Sequence, residues 1–380
     1  MGRALSVEDF EAVARRRLPR PLYVYIASAA ETGASLADNR NALAEWGFIP
    51  RVLAGVSGRT TETSLLGHRY DAPIGIAPMG VSALMALDGD VALARAAFQH
   101  NIPMVLSGSS LTPMEEVFNA NPDCWFQAYV PGEEAKILGL LDRVRATGFK
   151  TLVVTVDTAV LANRENNIRS GFSTPLRMTP RLAWDFASHP GWLLGTMART
   201  ILRRGMPHFE NSYAERGAPI MSRNVMRDFG RKDHLTWDHL RLIRSRWPGK
   251  LVVKGVLAPE DVQRVVLLGG DGVILSNHGG RQLDGAISPL RILPRVVEVA
   301  GAMPVMIDGG FRRGTDILKA LALGASFVFV GRPFLYAAVA GGSSAVEHAI
   351  AILKTELHRD LGLMGRSCLS ELDVSALYRL

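Results

Sequence analysis

The run Ser276-Asn277-His278-Gly279-Gly280-Arg281-Gln282-Leu283-Asp284-Gly285 puts an imidazole three residues ahead of a guanidinium, with two glycines between them. Imidazole titrates near neutrality and so suits proton abstraction. Guanidinium presents a planar fork matched to a carboxylate. The glycines allow a tight turn and close ligand approach. Such a run could take a proton from an acid that Arg281 holds, although a capped turn is the plainer reading. Lys254 lies inside the apolar stretch Leu-Val-Val-Lys-Gly-Val, where an unpaired ammonium is costly. It therefore needs an anionic partner, either a carboxylate or an electron-rich cofactor. Asp157 closes another apolar stretch and could orient the imidazole or pair with Lys254.

A second chemistry is suggested by Asp308-Gly309-Gly310-Phe311-Arg312-Arg313-Gly314 and by Gly331-Arg332. Glycine-rich backbone and arginines at strand ends favour a phosphate group. The sequence has no Walker P-loop, no Gly-x-Gly-x-x-Gly in a strand–helix context and no convincing metal-ligand spacing.

These residues need a frame. Eight short apolar runs read as buried parallel strands: Pro73–Pro78, Met104–Gly108, Trp125–Val130, Thr151–Asp157, Leu251–Val256, Gly272–Asn277, Pro304–Gly309 and Phe327–Arg332. Helix signals lie between them, among them a capping box with proline at Thr112-Pro113-Met114-Glu115, a start at Pro259-Glu260-Asp261, and a stretch Asp316–Leu323 ended by Gly324. Strand and helix alternation of this kind predicts a (β/α)8 (TIM) barrel rather than an open sheet. The expected organisation is one domain: an N-terminal helical cap over residues 1–72, a barrel over 73–340 with an insertion after the fourth strand at 170–233, and C-terminal helices over 341–380. Each run turns small or polar at its C-terminal end, through Gly80, Ser107, Gln127, Tyr129, Thr155, Asp157, Lys254, Ser276, His278, Asp308, Gly331 and Arg332. In a barrel those ends share one mouth, where the chemistry is assembled.

The chain has 380 residues, 48% of them hydrophobic and 21% charged, as expected of a folded protein with a sizeable core. Two cysteines do not make a disulfide framework, and a reducing compartment fits them best. The N-terminal residues hold no signal-peptide core, and no apolar stretch is long enough to predict a spanning helix. The formal charge of +7 is concentrated in residues 173–232, where ten Lys/Arg (Arg177, Arg181, Arg199, Arg203, Arg204, Arg216, Arg223, Arg227, Arg231, Lys232) face four acids (Asp185, Glu210, Glu215, Asp228). A single charged segment does not favour a nucleic-acid partner. Within it Trp184, Phe186, Trp192, Leu193, Leu194, Met197, Ile201 and Leu202 are interleaved with arginines, a composition suited to an anionic lipid interface across residues 178–215. A mobile lid or a subunit contact would use the same residues.

The combination of Tyr23-Val24-Tyr25, Ala77-Pro78, Trp125-Phe126-Gln127-Ala128-Tyr129, Thr155-Val156-Asp157, Arg164, Lys254-Gly255, the His278 run, Asp308 to Gly314 and Gly331-Arg332-Pro333 resembles the FMN-dependent L-2-hydroxy acid oxidase/dehydrogenase family, in its lactate and mandelate dehydrogenase branch. The motifs occur in matching order from residue 20 to 335. The resemblance implies FMN held by Pro78, Met79 and Gly80, by Ser107, Gln127, Thr155, Lys254 and Ser276, and at its phosphate by Asp308, Gly309, Gly310, Arg312, Gly331 and Arg332. It further implies an L-2-hydroxy acid whose carboxylate is held by Arg281 and Tyr25 with help from Arg164. Tyr129 would be at the hydroxyl, His278 would be the base, and Asp157 would favour its protonated form. Proton abstraction could leave a carbanion or accompany hydride transfer to flavin N5. No metal is implied.

Gly80, where oxidase members tend to carry alanine, and the basic insertion both point to a dehydrogenase. Its electrons would go to membrane quinone or another acceptor; a hydroxy acid oxidase that reduces oxygen to hydrogen peroxide is the alternative. The expected setting is the cytoplasmic side of the inner membrane, with a peripheral attachment and a homotetramer; a soluble cytoplasmic enzyme is the alternative. Ser109 widens the substrate pocket relative to one shaped for glycolate. A Schiff-base aldolase built on Lys254 is the remote competitor, since a barrel alone does not decide the reaction.

Overall fold

The computed structural model describes residues 4–172, 178–222 and 233–380. Of the basic segment, Arg177, Arg223, Arg227, Asp228, Arg231 and Lys232 lie outside the described residues. The strands, in chain order, are β1 (Trp46–Phe48), β2 (Thr63–Leu65), β3 (His68–Tyr70), β4 (Ile74–Ile76), β5 (Val105–Ser107), β6 (Trp125–Ala128), β7 (Thr151–Thr155), β8 (Lys250–Val256), β9 (Gly272–Leu275), β10 (Val305–Asp308), β11 (Phe327–Val330) and β12 (Leu377–Arg379).

Strands β5 to β11 pair in parallel, each with the next, and β11 pairs with β4. A parallel bridge between Ile76 and Met104 closes the ring, so the fold is the expected (β/α)8 barrel, with all eight apolar runs as its staves. Side chains alternate along each strand. Val153, Val252, Ile274 and Met306 join Trp125, Phe327 and Phe329 inside the barrel. Their neighbours Leu152, Leu251, Val273 and Ile307 face the surrounding helices. The interior is packed rather than hollow. Gly75 makes room for it, because a Cβ there would meet the Phe329 ring at 2.6 Å. The β2–β3 hairpin plugs the other end with Leu65 and Tyr70, whose ring lies 5.6 Å from that of Phe327.

Helices Asp9–Arg17, Arg20–Ala27 and Ala34–Ala44 precede the barrel. Helix Arg332–Leu363 breaks at Gly341 and Gly342 and packs along helices Gly89–Gln99 and Asp9–Arg17. Residues 341–380 are not all helical: the chain ends in β12, antiparallel to β1, with Trp46 opposite Arg379. Helices begin at Pro259 and end before Gly324 much as their caps predict. The capping box at Thr112 does not form. The Thr112 hydroxyl instead donates to the buried Asp90 carboxylate at 3.2 Å, and the Met114 N–H is taken by Asn211 Oδ1 at 2.9 Å.

The insertion contributes helix Pro180–Ala187 and a second helical stretch from Pro190 through a π-helical turn at Leu193–Ala198 to Arg204. It is tied to the barrel. The Trp192 indole N–H donates to the Leu84 carbonyl at 2.8 Å. Arg203 and Arg204 pair with Asp88, and Arg204 also with Glu116. These two arginines are tethers, not part of a lipid-facing row. Trp184, Leu194, Ile201 and Leu202 remain exposed on the outer side, with Leu202 at 85%.

Candidate active site

Strand register sets the floor of the mouth. Ser107 is opposite Gln127 and Thr155 is opposite Lys254. The Ser107 hydroxyl donates to Gln127 Oε1 at 3.2 Å. Lys254 Nζ donates to Ser276 Oγ at 2.9 Å and lies 3.1 Å from the Asp308 carboxylate. Its anionic partner is therefore Asp308, and the alternative pairing with Asp157 does not occur. Asp308, assigned to the phosphate loop in the sequence reading, here neutralises the buried lysine.

Asp157 is free to serve the imidazole. Its two carboxylate oxygens are 3.1 and 3.0 Å from His278 Nδ1. A bulge in β8 makes this possible: Gly255, at φ +97°, has no side chain, and a Cβ there would come within 2.6 Å of Asp157 Cγ. With Nδ1 bound to a carboxylate, the ring carries its proton on that side, and Nε2 is left as the acceptor facing the cavity. Nε2 is 3.5 Å from the Tyr129 hydroxyl. Burial pushes the His278 ring below its ordinary range, Asp157 pulls it back up, and Lys254 and Arg164 lower it further. The ring is therefore neutral at pH 7 and able to accept a proton. Burial works against ionisation of Asp157, but the His278 ring and Lys254 outweigh it and hold the carboxyl below its usual value.

His278 itself sits at φ +58°, an uncommon conformation for a residue with a side chain. Several bonds enforce it. Its N–H donates to Ser276 Oγ at 2.9 Å, Asn277 and Asn39 exchange amide bonds at 2.9 Å, and Asp284 accepts from the N–H groups of Thr32, Gly33 and Ser35 at the start of helix Ala34–Ala44. The sequence reading missed this N-terminal clamp. Its signal was Asp284 closing the run, but its partners lie some 250 residues earlier in the chain.

Four arginines gather over this floor. Arg281 lies with its guanidinium 4.8 Å from the centre of the Tyr25 ring and donates to the carbonyls of Tyr25 and Ser28. Arg332 donates to Ile26, Ser28 and Gly279 carbonyls at 2.8 to 3.1 Å. Both thus cap the carbonyl end of helix Arg20–Ala27, where the helix dipole favours cations. Arg164 donates to the Arg281 carbonyl at 3.0 Å and to Gln282 Oε1 at 2.9 Å. Arg312 donates to the Phe311 carbonyl. Among the described residues none of the four has a carboxylate partner. Burial and mutual repulsion push Arg281 down to about 9 and Arg332 to about 10. Cations kept in this state demand anionic ligands.

The cavity holds about 540 Å³ and is bounded by Tyr25, Pro78, Met79, Gly80, Tyr129, Thr155, Arg164, Lys254, His278, Arg281, Asp308, Gly309, Gly310, Arg312, Gly331 and Arg332. Ser276 and Asp157 hold the lining residues Lys254 and His278 in place, and Ser107 and Gln127 are buried at the floor beneath. Gln127 Nε2, Thr155 Oγ1 and Asp308 Oδ1 are buried without a hydrogen-bond partner, which is the pattern expected where polar edges of a cofactor ring bind. The residues present therefore fit a phosphorylated flavin. Sequence reasoning also missed the apolar wall, made of Leu84, Phe172, Phe209 and Ile220. Phe209 and Ile220 come from the far side of the insertion, and no spacing predicts their return to the mouth.

Fold and site together define a (β/α)8 barrel built to hold a phosphorylated cofactor beside a small acid. The match to the FMN-dependent dehydrogenase family extends over residues 14–379, and the chain belongs to that family, with FMN as its cofactor. It is 40% identical to an (S)-mandelate dehydrogenase of Pseudomonas putida over 95% of this chain and 90% of that protein. It is 36% identical to an L-lactate dehydrogenase of Xanthomonas euvesicatoria, over 98% of this chain and 96% of that one. A crystal structure described as the monotopic membrane protein (S)-mandelate dehydrogenase superposes with a TM-score of 0.91 and 38% identity, each chain covered completely.

Proposed function

We propose that this protein oxidises an L-2-hydroxy acid of the lactate or mandelate class to the 2-oxo acid. The observation that carries this reading is the meeting, in one cavity, of a neutral His278 backed by Asp157 and two guanidinium groups without carboxylate partners, Arg281 and Arg164. The arginines bind the substrate carboxylate, with Tyr25 beside them. Tyr129 meets the hydroxyl, and His278 Nε2 removes the proton. Asp157 then stabilises the imidazolium. Bound FMN supplies the two-electron acceptor. Pro78, Met79, Gly80, Ser107, Gln127, Thr155, Lys254 and Ser276 would hold its ring, and Gly309, Gly310, Arg312, Gly331 and Arg332 its phosphate. The apolar wall of Leu84, Phe172, Phe209 and Ile220, with the small Ser109, suits a bulky side chain such as the phenyl group of mandelate. Anaerobic flavin reduction by a panel of L- and D-2-hydroxy acids tests this; reduction by none of them, or by D-acids alone, refutes it.

The acceptor is membrane quinone, reached from the cytoplasmic side of the inner membrane. Support comes from the exposed Trp184, Leu194, Ile201 and Leu202 on the insertion, beside the exposed Arg181 and Arg199. The (S)-mandelate dehydrogenase that superposes so closely is described as monotopic. Reoxidation of the reduced enzyme by a soluble quinone analogue should outpace reoxidation by oxygen; the reverse order identifies an oxidase.

A further inference from the structure

One amide touches both halves of the proposed machinery. Gln282 Nε2 donates to the Asp157 carbonyl at 2.9 Å, and Gln282 Oε1 accepts from the Arg164 guanidinium at 2.9 Å. The side chain thereby spans from the residue that orients the base to a residue that binds substrate. Only a group with both a donor and an acceptor can make this link: a carboxylate has nothing to give the Asp157 carbonyl, and an ammonium nothing to offer Arg164. Arg164 needs such support. It stands on the loop after β7, close in sequence to the solvent-exposed Val160 and Leu161, and the only other hydrogen bond of its guanidinium among the described residues goes from Nε to the Arg281 carbonyl. Those two bonds engage one edge of the guanidinium and leave Nη1 for a ligand. Without Gln282 the group would swing about a single bond.

We infer that Gln282 is a positioning residue that aims the Arg164 guanidinium at the substrate carboxylate and ties that loop to the Asp157–His278 pair. The inference rests on Arg164 binding the carboxylate, and the experiment keeps the two apart. Steady-state kinetics are compared for the FMN-loaded wild type, Gln282→Met, Arg164→Met and the double variant, with the better of (S)-mandelate and L-lactate. Gln282→Met should raise KM about tenfold, equivalent to about 1.4 kcal/mol, with kcat within about threefold and the flavin spectrum unchanged. This is the scale of one hydrogen bond to a charged group.

In the double variant the losses should not multiply, because Gln282 acts through a group that is already gone. Its kcat/KM should equal that of Arg164→Met within about threefold. Multiplying losses overturn the inference, as does a Gln282→Met enzyme with wild-type KM. An Arg164→Met enzyme with wild-type KM overturns instead the assignment of Arg164. Gln282→Glu has nearly the same shape and guards against misfolding of the methionine variant. Its carboxylate would pair with Arg164 and draw it from the substrate, so KM should rise at least as far as in Gln282→Met, and an unchanged KM in this variant overturns the inference as well.

Discussion

Replacing Asp157 by Asn tests the centre of the proposed chemistry. The carboxylate lies 3.0 and 3.1 Å from His278 Nδ1. When the ring takes a proton, its charge is spread over the imidazolium, about 4 Å from the centre of the carboxylate. At an effective dielectric of about 20 that attraction is about 4 kcal/mol. Asparagine keeps the shape and loses the charge. Each 1.36 kcal/mol is about tenfold in rate, so the rate of anaerobic flavin reduction should fall by roughly three powers of ten. The pH profile gives an independent sign. His278 must be neutral to act, so kcat/KM falls as pH drops through its pKa. Asp157 raises that pKa; without it the acid limb should move to lower pH. Stopped-flow reduction by substrate between about pH 5 and pH 9 measures both quantities. A loss smaller than about tenfold, or an acid limb that moves upward, refutes the assignment of Asp157 to the base.

Lys254→Met leaves Asp308 buried without its cation, a change that typically costs about 3–5 kcal/mol; a lowered Tm and weakened flavin retention should appear together in thermal melts and absorbance spectra. Gly255→Ala forces a Cβ into Asp157 at a positive φ, so it should reproduce much of the Asp157→Asn loss in flavin reduction while leaving flavin content near wild type. Trp184→Glu combined with Leu202→Glu places two charges on the exposed side of the insertion. In sedimentation of cell fractions the protein should shift from membranes to the soluble phase with its reduction kinetics intact; continued sedimentation with membranes rules out this face as the anchor.

The barrel was legible because each stave is buried on both sides and so reads as an unbroken apolar run. The polar residues closing those runs were legible for the same reason: a charged Lys254 or Asp157 in such a setting requires a partner. Two kinds of feature escaped. One was the choice between partners, because Asp157 and Asp308 both end apolar strands and only the folded geometry puts Asp308 against Lys254 and Asp157 against His278. The other was contact between distant segments. Asp284 clamps helix Ala34–Ala44, Gln282 bridges to Arg164, and Phe209 reaches the mouth from within the insertion. None of these leaves a local pattern. The insertion shows the limit from the other side. Its composition marked an amphipathic segment, yet Arg203, Arg204 and Trp192 turned out to face the barrel, since a charge or an indole N–H reads the same in sequence whether its partner is a lipid or Asp88.

The charges in the mouth carry one more consequence. Lys254, Arg164, Arg281, Arg312 and Arg332 outnumber Asp157 and Asp308 by three, and a neutral His278 adds nothing. A phosphate monoester brings up to about two negative charges and a hydroxy acid brings one, so the two ligands together balance the site. Flavin should therefore stabilise the fold through charge as well as through contact. The flavin-free protein should melt lower than the holoenzyme, and inorganic phosphate should recover part of the difference in proportion to its concentration. An equal ionic strength of sodium chloride screens without filling the cradle and should recover less. If chloride and phosphate are equivalent, the effect is general screening and the cradle at Arg312 and Arg332 is not a phosphate site. If phosphate alone restores stability and riboflavin does not, the arginines rather than the ring contacts supply most of the coupling between cofactor and fold.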